Sequence, residues 1–176
     1  MTQNLQQNRS FVENVFSTVF ERYDVMNDLM SFGMHRIWKQ RLLNIMRPSD
    51  DQSLIDVGCG TGDICELFSK HTSNETKILA VDPNINMIEK CKKRLVHLKN
   101  LDLKICNVEK LKVKDNSFDF YTISFGLRNT ADIGKTISEA YRVLRKGGRF
   151  FCLEFSKIDN ENLDFIYKQY SLSLIH

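Results

Sequence analysis

Apolar residues recur along this chain with two different periods, and the change of period divides it. Phe11, Val12, Val15, Phe16, Val19, Phe20 and Tyr23 fall at three- and four-residue steps, the stripe of an amphipathic helix. Ser10 is placed to cap that helix, and Glu13 three residues on completes a capping box. A second helical stretch runs from about Ser31 or Gly33 to Met46, closed by Pro48. Short apolar runs then replace the stripes. Leu54-Ile55-Asp56-Val57 reads as a buried strand entering the glycine turn Gly58-Cys59-Gly60-Thr61-Gly62. Asp63 to Lys70, with Ile64, Leu67 and Phe68 apolar, reads as a helix. Lys77 to Val81 predicts a second strand ending at Asp82-Pro83, and Asn86 to Leu98 a helix with Met87, Ile88, Cys91 and Leu95 on one face. The alternation Leu101 to Cys106 predicts a third strand and Phe118 to Ile123 a fourth. Ile133 to Leu144 predicts a helix stopped by Lys146-Gly147-Gly148, with Arg149 to Glu154 as a fifth strand. The stretch from about Glu161 to Leu172 is weakly helical.

Strand and helix therefore alternate at least four times after two leading helices. That order predicts an α/β fold with a doubly wound, mostly parallel sheet. No repeat and no linker rich in Pro, Gly or Ser divides it.

In such a sheet ligands bind at the carboxyl ends of the strands, near the point where strand order reverses. The segment Asp56 to Asp63 falls there. Its glycines permit a tight turn and let a ligand approach the backbone with no Cβ in the way. The dinucleotide fingerprint G-x-G-x-x-G is not met: the third glycine comes one residue early, and Asp63 takes the last place. An acid there repels a pyrophosphate and tolerates a ligand carrying an ammonium and a sulfonium. No G-x-x-x-x-G-K-[ST] is present, so a P-loop hydrolase is unsupported. Asp82, about twenty residues beyond the glycines, can accept hydrogen bonds from both hydroxyls of a ribose, or can serve as a plain turn or cap aspartate. Asn107-Val108 after the third strand either flanks an adenine or forms an ordinary turn.

Composition narrows the class. The chain has 176 residues, 42% hydrophobic and 27% charged, with only 2 Pro and 8 Gly, so it can bury a core and is not a low-complexity or disordered chain. No run of about 18 apolar residues spans a membrane. The polar start Met1 to Asn8 lacks the apolar core of a secretory signal. A formal charge of +3 does not suggest a nucleic-acid partner. The five cysteines include no C-x-x-C pair, and His35, His71, His97 and His176 do not cluster with other ligands. Reduced, mostly buried cysteines in a reducing compartment and no metal site are expected.

Two long segments are more specific than the glycine turn. Tyr23-Asp24-Val25-Met26-Asn27-Asp28-Leu29-Met30-Ser31-Phe32-Gly33-Met34-His35-Arg36-Ile37-Trp38-Lys39 and Arg142-Val143-Leu144-Arg145-Lys146-Gly147-Gly148-Arg149-Phe150-Phe151-Cys152-Leu153-Glu154-Phe155-Ser156-Lys157 resemble the two signatures of the ubiquinone/menaquinone biosynthesis C-methyltransferases. Between them, Ile123-Ser124-Phe125-Gly126-Leu127-Arg128-Asn129 is similar to that family's fourth-strand motif. Cys59, where alanine or glycine is common, and Arg145-Lys146, in place of a lysine-proline or similar pair, are small departures.

The resemblance implies a class I, Rossmann-like methyltransferase. S-adenosyl-L-methionine would donate a methyl to a ring carbon of a polyprenylated benzoquinol or naphthoquinol, in ubiquinone or menaquinone synthesis. It implies cofactor contacts at Gly58, Gly60, Thr61, Gly62, Asp63, Asp82, Asn107, Val108 and Ser124, and a catalytic cluster of Tyr23, Arg128 and Asn129. Arg128 cannot be an ordinary base, because a guanidinium stays protonated; it would orient a water and stabilise the developing phenolate. Residues 1–47 would form lid helices, with Met26, Met30, Phe32 and Trp38 either core or a wall for the polyprenyl tail, over a cofactor-binding α/β domain from 48 to 176. A cytoplasmic protein follows, against the inner membrane face or on the matrix side in a eukaryote. Peripheral membrane contact, a homodimer and a quinone-synthesis complex stay open. Two other readings compete: a related methyltransferase with another small hydrophobic substrate, and a non-catalytic cofactor-binding scaffold. Five strands can be counted where the family has seven, so the chain is expected to lack the C-terminal pair.

Overall fold

The structure, a computed structural model, describes residues 34–154. The chain divides into two compact units, Met1–Ile37 with Lys157–His176, and Trp38–Ser156. The expected helix over 11–23 with its capping box, and the weakly helical 161–172, lie outside the described residues.

Ten elements follow one another. Helix α1 (Met34–Met46) precedes β1 (Leu54–Val57), α2 (Asp63–Ser69), β2 (Ile78–Asp82), α3 (Ile85–Arg94), β3 (Leu101–Ile105), β4 (Phe118–Ser124), a 3-10 turn (Leu127–Asn129), α4 (Ile133–Val143) and β5 (Leu144–Leu153). The strands form one sheet in the order β3-β2-β1-β4-β5, and every neighbouring pair is parallel. Strand order reverses at β1, which pairs with β2 through Val57↔Val81 and with β4 through Val57↔Ile123. This is the doubly wound parallel sheet that the alternation predicts.

The run Leu-Ile-Asp-Val of β1 is buried throughout, as a central parallel strand covered on both faces must be. Alternate residues feed two cores. Leu54, Ile78, Ala80 and Phe120 meet Leu43, Met46, Phe68, Cys91 and Leu95 from α1, α2 and the end of α3. Ile55, Val57, Val81, Tyr121 and Ile123 meet Ala140 and Val143 of α4. The last turns of α1 therefore belong with the sheet, and the compact unit begins at Trp38, not at residue 48.

The helix expected over 86–98 ends at Arg94, and a second boundary departs further from the pattern-based expectation. The glycine pair does not stop α4; the helix ends at Val143 and Leu144 is already extended. Leu144 pairs with Phe118, and the next paired residue is Arg149, opposite Phe120. Residues 145–148 are thus looped out of the ladder. Strand pairing takes the chain out of the helix before the local stop signal is reached, and Lys146-Gly147-Gly148 serves a bulge instead.

Candidate active site

Four strands deliver the sequence-selected residues to one end of the sheet, the carboxyl ends. The glycine turn follows β1, Asp82 ends β2, Asn107-Val108 follow β3, and Ser124 ends β4 with Arg128 and Asn129 in the 3-10 turn just beyond. Tyr23 lies outside the described residues.

The glycine turn is pinned to β2 at two points. The Cys59 N–H donates to Val81 O at 3.0 Å, and the Gly60 N–H donates to Asp82 Oδ2 at 3.0 Å. Asp82 Oδ1 accepts from the Asn84 N–H at 2.9 Å. Asp82 is thus a turn aspartate and a clamp on the loop together, and each of its oxygens retains accepting capacity. Burial pushes its pKa up, and the two backbone donors offset that only in part. Gly62 enters α2 at φ +88, where a Cβ would lie 2.6 Å from Cys91 Sγ and 2.7 Å from Leu95 Cδ1. That crowding, with the left-handed backbone, is why only glycine fits there. A Cβ on Gly58 or Gly60 would meet nothing within 4 Å, so those two backbones border open space.

Asp63 stands at the hub of an ion-pair network. Lys39 of α1 reaches its Oδ2 at 2.6 Å, and Arg94 of α3 pairs with its Oδ1 and with Glu66. Arg94 also donates to the carbonyl and the hydroxyl of Thr61, both at 3.2 Å. Burial would raise the Asp63 pKa, but the Lys39 charge and the bonds from Lys39 and Arg94 outweigh it and bring it down to about 2.

The other residues divide. Asn107 is exposed and its Oδ1 accepts from the Glu109 N–H at 2.7 Å, an Asx turn, while Val108 is buried. Ser124 Oγ is buried with no hydrogen-bond partner. Arg128 pairs with Glu154 at the end of β5, and its N–H lies 3.4 Å from Glu154 Oε2. Asn129 Nδ2 lies 3.5 Å from Phe125 O. The unmet hydroxyl of Ser124 and the open space over Gly58 and Gly60 fit a polar ligand lying across the strand ends.

Three features went unselected from sequence. Asp56, 2% exposed, accepts the Thr122 hydroxyl at 2.6 Å and lies 3.6 Å from Cys65 Sγ; burial pushes its carboxyl up to about 7. A lone acid inside an apolar strand was the available signal. Phe125, buried, holds φ +57 directly after β4, a backbone strain of the kind that gathers at functional sites. Its ring lies 6.3 Å from that of Trp38 and 5.9 Å beneath Lys39 Nζ. Glu154 was visible within a signature, but nothing in the sequence marks it as the partner of Arg128.

A reversing parallel sheet, a glycine turn after its first strand and an acid ending the second define a Rossmann-like, class I methyltransferase fold. Solved structures agree. A SAM dependent methyltransferase from Aquifex aeolicus superposes with a TM-score of 0.68 at 18% identity, covering 87% of this chain and 86% of that one. A putative S-adenosyl-L-methionine-dependent methyltransferase from Methanococcus maripaludis gives 0.68 at 18% identity, covering 88% and 70%. Residues 2–176 match the model of the ubiE/COQ5 methyltransferase family, and the chain belongs to that family. The ubiquinone/menaquinone biosynthesis C-methyltransferase UbiE of Rickettsia bellii is 43% identical over 173 residues, covering 95% of this chain and 69% of that protein. Its namesake in Brucella abortus is 42% identical over 172 residues, covering 95% and 64%.

Proposed function

We propose that this chain binds S-adenosyl-L-methionine across the carboxyl ends of β1, β2 and β4 and methylates a ring carbon of a polyprenylated quinol. The observation that carries the reading is the glycine turn clamped to Asp82 at the switch point, in a chain of the ubiE/COQ5 family. When bound, the cofactor supplies an electrophilic methyl on a sulfonium; the remaining work falls to the chain.

Asp82, held by Gly60 and Asn84, presents its remaining lone pairs to the ribose hydroxyls. Ser124 Oγ supplies a hydroxyl with no internal partner to satisfy. Gly58 and Gly60 keep the approach open. Thr61 and Val108 border the same ligand, with Asn107 beside them. Asp63, with both oxygens engaged by Lys39 and Arg94, organises the loop and meets the ligand's ammonium only within that network.

A ring carbon of a quinol becomes nucleophilic as its hydroxyl loses a proton. Arg128, fixed by Glu154, stabilises the developing phenolate with a charge-assisted hydrogen bond or orients the water that takes the proton. Asn129 and Tyr23 hold that water or the quinol oxygen. The substrate's solubility in a bilayer favours peripheral membrane contact by the residues that precede Trp38. Among the described residues no helix is long and apolar enough to cross a membrane.

Calorimetric titration with S-adenosyl-L-methionine, then turnover of a short-chain demethyl-quinol analogue followed by product mass, tests the proposal. Saturable binding with methylated product supports it. Binding without product favours the scaffold reading, and no binding overturns the cofactor site.

A further inference from the structure

A cavity of about 690 Å³ lies away from the glycine turn, at the amino-terminal ends of β2 and β4 and along β3, beneath the loop that joins β3 to β4. Lys77, Lys104, Lys112 and Lys114 line it, and Asp102 is the lone acid in the lining. Three positive charges are thus in excess, and among the described residues none of the four lysines is in an ion pair. Four ammonium groups that share one carboxylate repel one another, so the arrangement favours an anion from outside.

Two of the ammonium groups are already held in place by contacts that leave hydrogen-bonding capacity. Lys104 Nζ donates one N–H to Lys112 O at 2.7 Å, which ties β3 to the loop. Lys77 Nζ sits 5.0 Å above the Phe118 ring. A site whose donors are pre-positioned loses less freedom when a ligand arrives. No arginine lines the cavity, so the planar fork that matches a carboxylate is missing. Separate ammonium points suit a tetrahedral anion with several oxygens.

We propose that this cavity is a second ligand site, for a phosphate-bearing anion of two or more charges. Such a group could come from a soluble phosphate ester or from a phospholipid head. The cavity lies at the end of the sheet opposite the glycine turn, so seating it on a bilayer would turn the turn and the strand ends away from that bilayer. The geometry therefore favours the soluble source. The inference stands whether or not the cofactor reading holds.

The test titrates inorganic tripolyphosphate into the full chain by calorimetry at constant ionic strength. One saturable site is expected. The double variant Lys104→Ala/Lys112→Ala should weaken it by about tenfold or more, since two charge-assisted bonds are lost. Lys92→Ala/Lys93→Ala, on the exposed side of α3, should leave it unchanged, and both variants should titrate S-adenosyl-L-methionine as the parent does. Lys112→Glu, which leaves Lys104 in place, should also weaken tripolyphosphate and guards against a disturbed loop. Equal weakening by the α3 pair, or failure to saturate with no vesicle binding that the cavity variants lose, overturns the site. Vesicles of phosphatidylglycerol form the second arm. If the parent sediments with them, the cavity variants do not, and tripolyphosphate fails to saturate, the soluble source is overturned.

Discussion

Asp56 is where burial and charge conflict most directly, and the conflict has a measurable sign. Burial raises its carboxyl from the ordinary 3.8 to about 7; the bonds from Thr122 and Cys65 and the charge of Lys39 offset part of the effect, and the negative charge of Asp63 adds to it. In the unfolded chain the group returns to its ordinary value. Between about pH 4 and pH 7 the folded state therefore holds a proton that the unfolded state has released. The stability from this group is fully present below pH 3.8 and is lost as pH rises through about 7, where the buried carboxylate must ionise. At about 1.4 kcal/mol for each pH unit between the two values, the loss is on the order of 3–5 kcal/mol. That is a large share of the roughly 5–15 kcal/mol that holds a domain together. Asp56→Asn keeps an oxygen for the Thr122 hydroxyl and cannot ionise. Its amide needs a partner the site does not offer, a cost that does not vary with pH. Urea unfolding followed by fluorescence of Trp38, the chain's single tryptophan, at pH 5, 6, 7 and 8 separates the two effects. The variant should gain on the parent steadily from pH 5 to pH 7 and level off above. A difference that stays constant across that range would refute the argument. Asp63 does not confuse the test, because its lowered value places its own loss of stability between pH 4 and about 2 as pH falls.

Asp82→Ala removes the acceptor for Gly60 and, in the proposed cofactor site, for the ribose, and should weaken S-adenosyl-L-methionine by roughly ten- to a hundredfold in calorimetry; unchanged affinity would remove Asp82 from the site. Arg128→Ala should lower turnover by about a hundredfold or more with little effect on cofactor affinity, and Glu154→Gln, which leaves Arg128 its charge but loosens its hold, should fall between that variant and the parent. Full activity in Arg128→Ala would end its catalytic assignment. Gly62→Ala forces a Cβ against Cys91 and Leu95 and should cost about 2–4 kcal/mol in urea unfolding. Adding Cys91→Ala should restore only part of it, since Leu95 and the left-handed backbone remain.

What was legible in the sequence was local. The strand Leu54 to Val57, its glycine turn and the acid ending the next strand lie within thirty residues, and their order alone places them at the switch point. The alternation of runs and stripes also yields the parallel sheet. The end of α4 was not legible, because Leu144 leaves the helix to pair with Phe118, a partner 26 residues away, and no local signal outweighs that pairing. The same distance hides the hold of Glu154 on Arg128. The acid in β1 was in plain view, yet its pKa depends on being covered from both faces of the sheet, which only the packing decides.

The network around Asp63 changes an argument drawn from sequence. An acid after the glycine turn, taken alone, repels a pyrophosphate and draws an ammonium. Here that acid is paired with Lys39 and with Arg94, and Arg94 also reaches Glu66 and Thr61. The carboxylate stays ionised, but two cations stand on it, so its charge no longer sets the sign felt by a ligand. A preference of the proposed site for its cofactor over a dinucleotide must then rest on shape. The third glycine arrives a residue early because Gly62 has to pass against Cys91 and Leu95, and this fixes where α2 begins. Asp63 serves that same purpose from the other side: it joins α1, α2 and α3 at the loop, so the glycine turn is held by three helices and by Asp82 of β2.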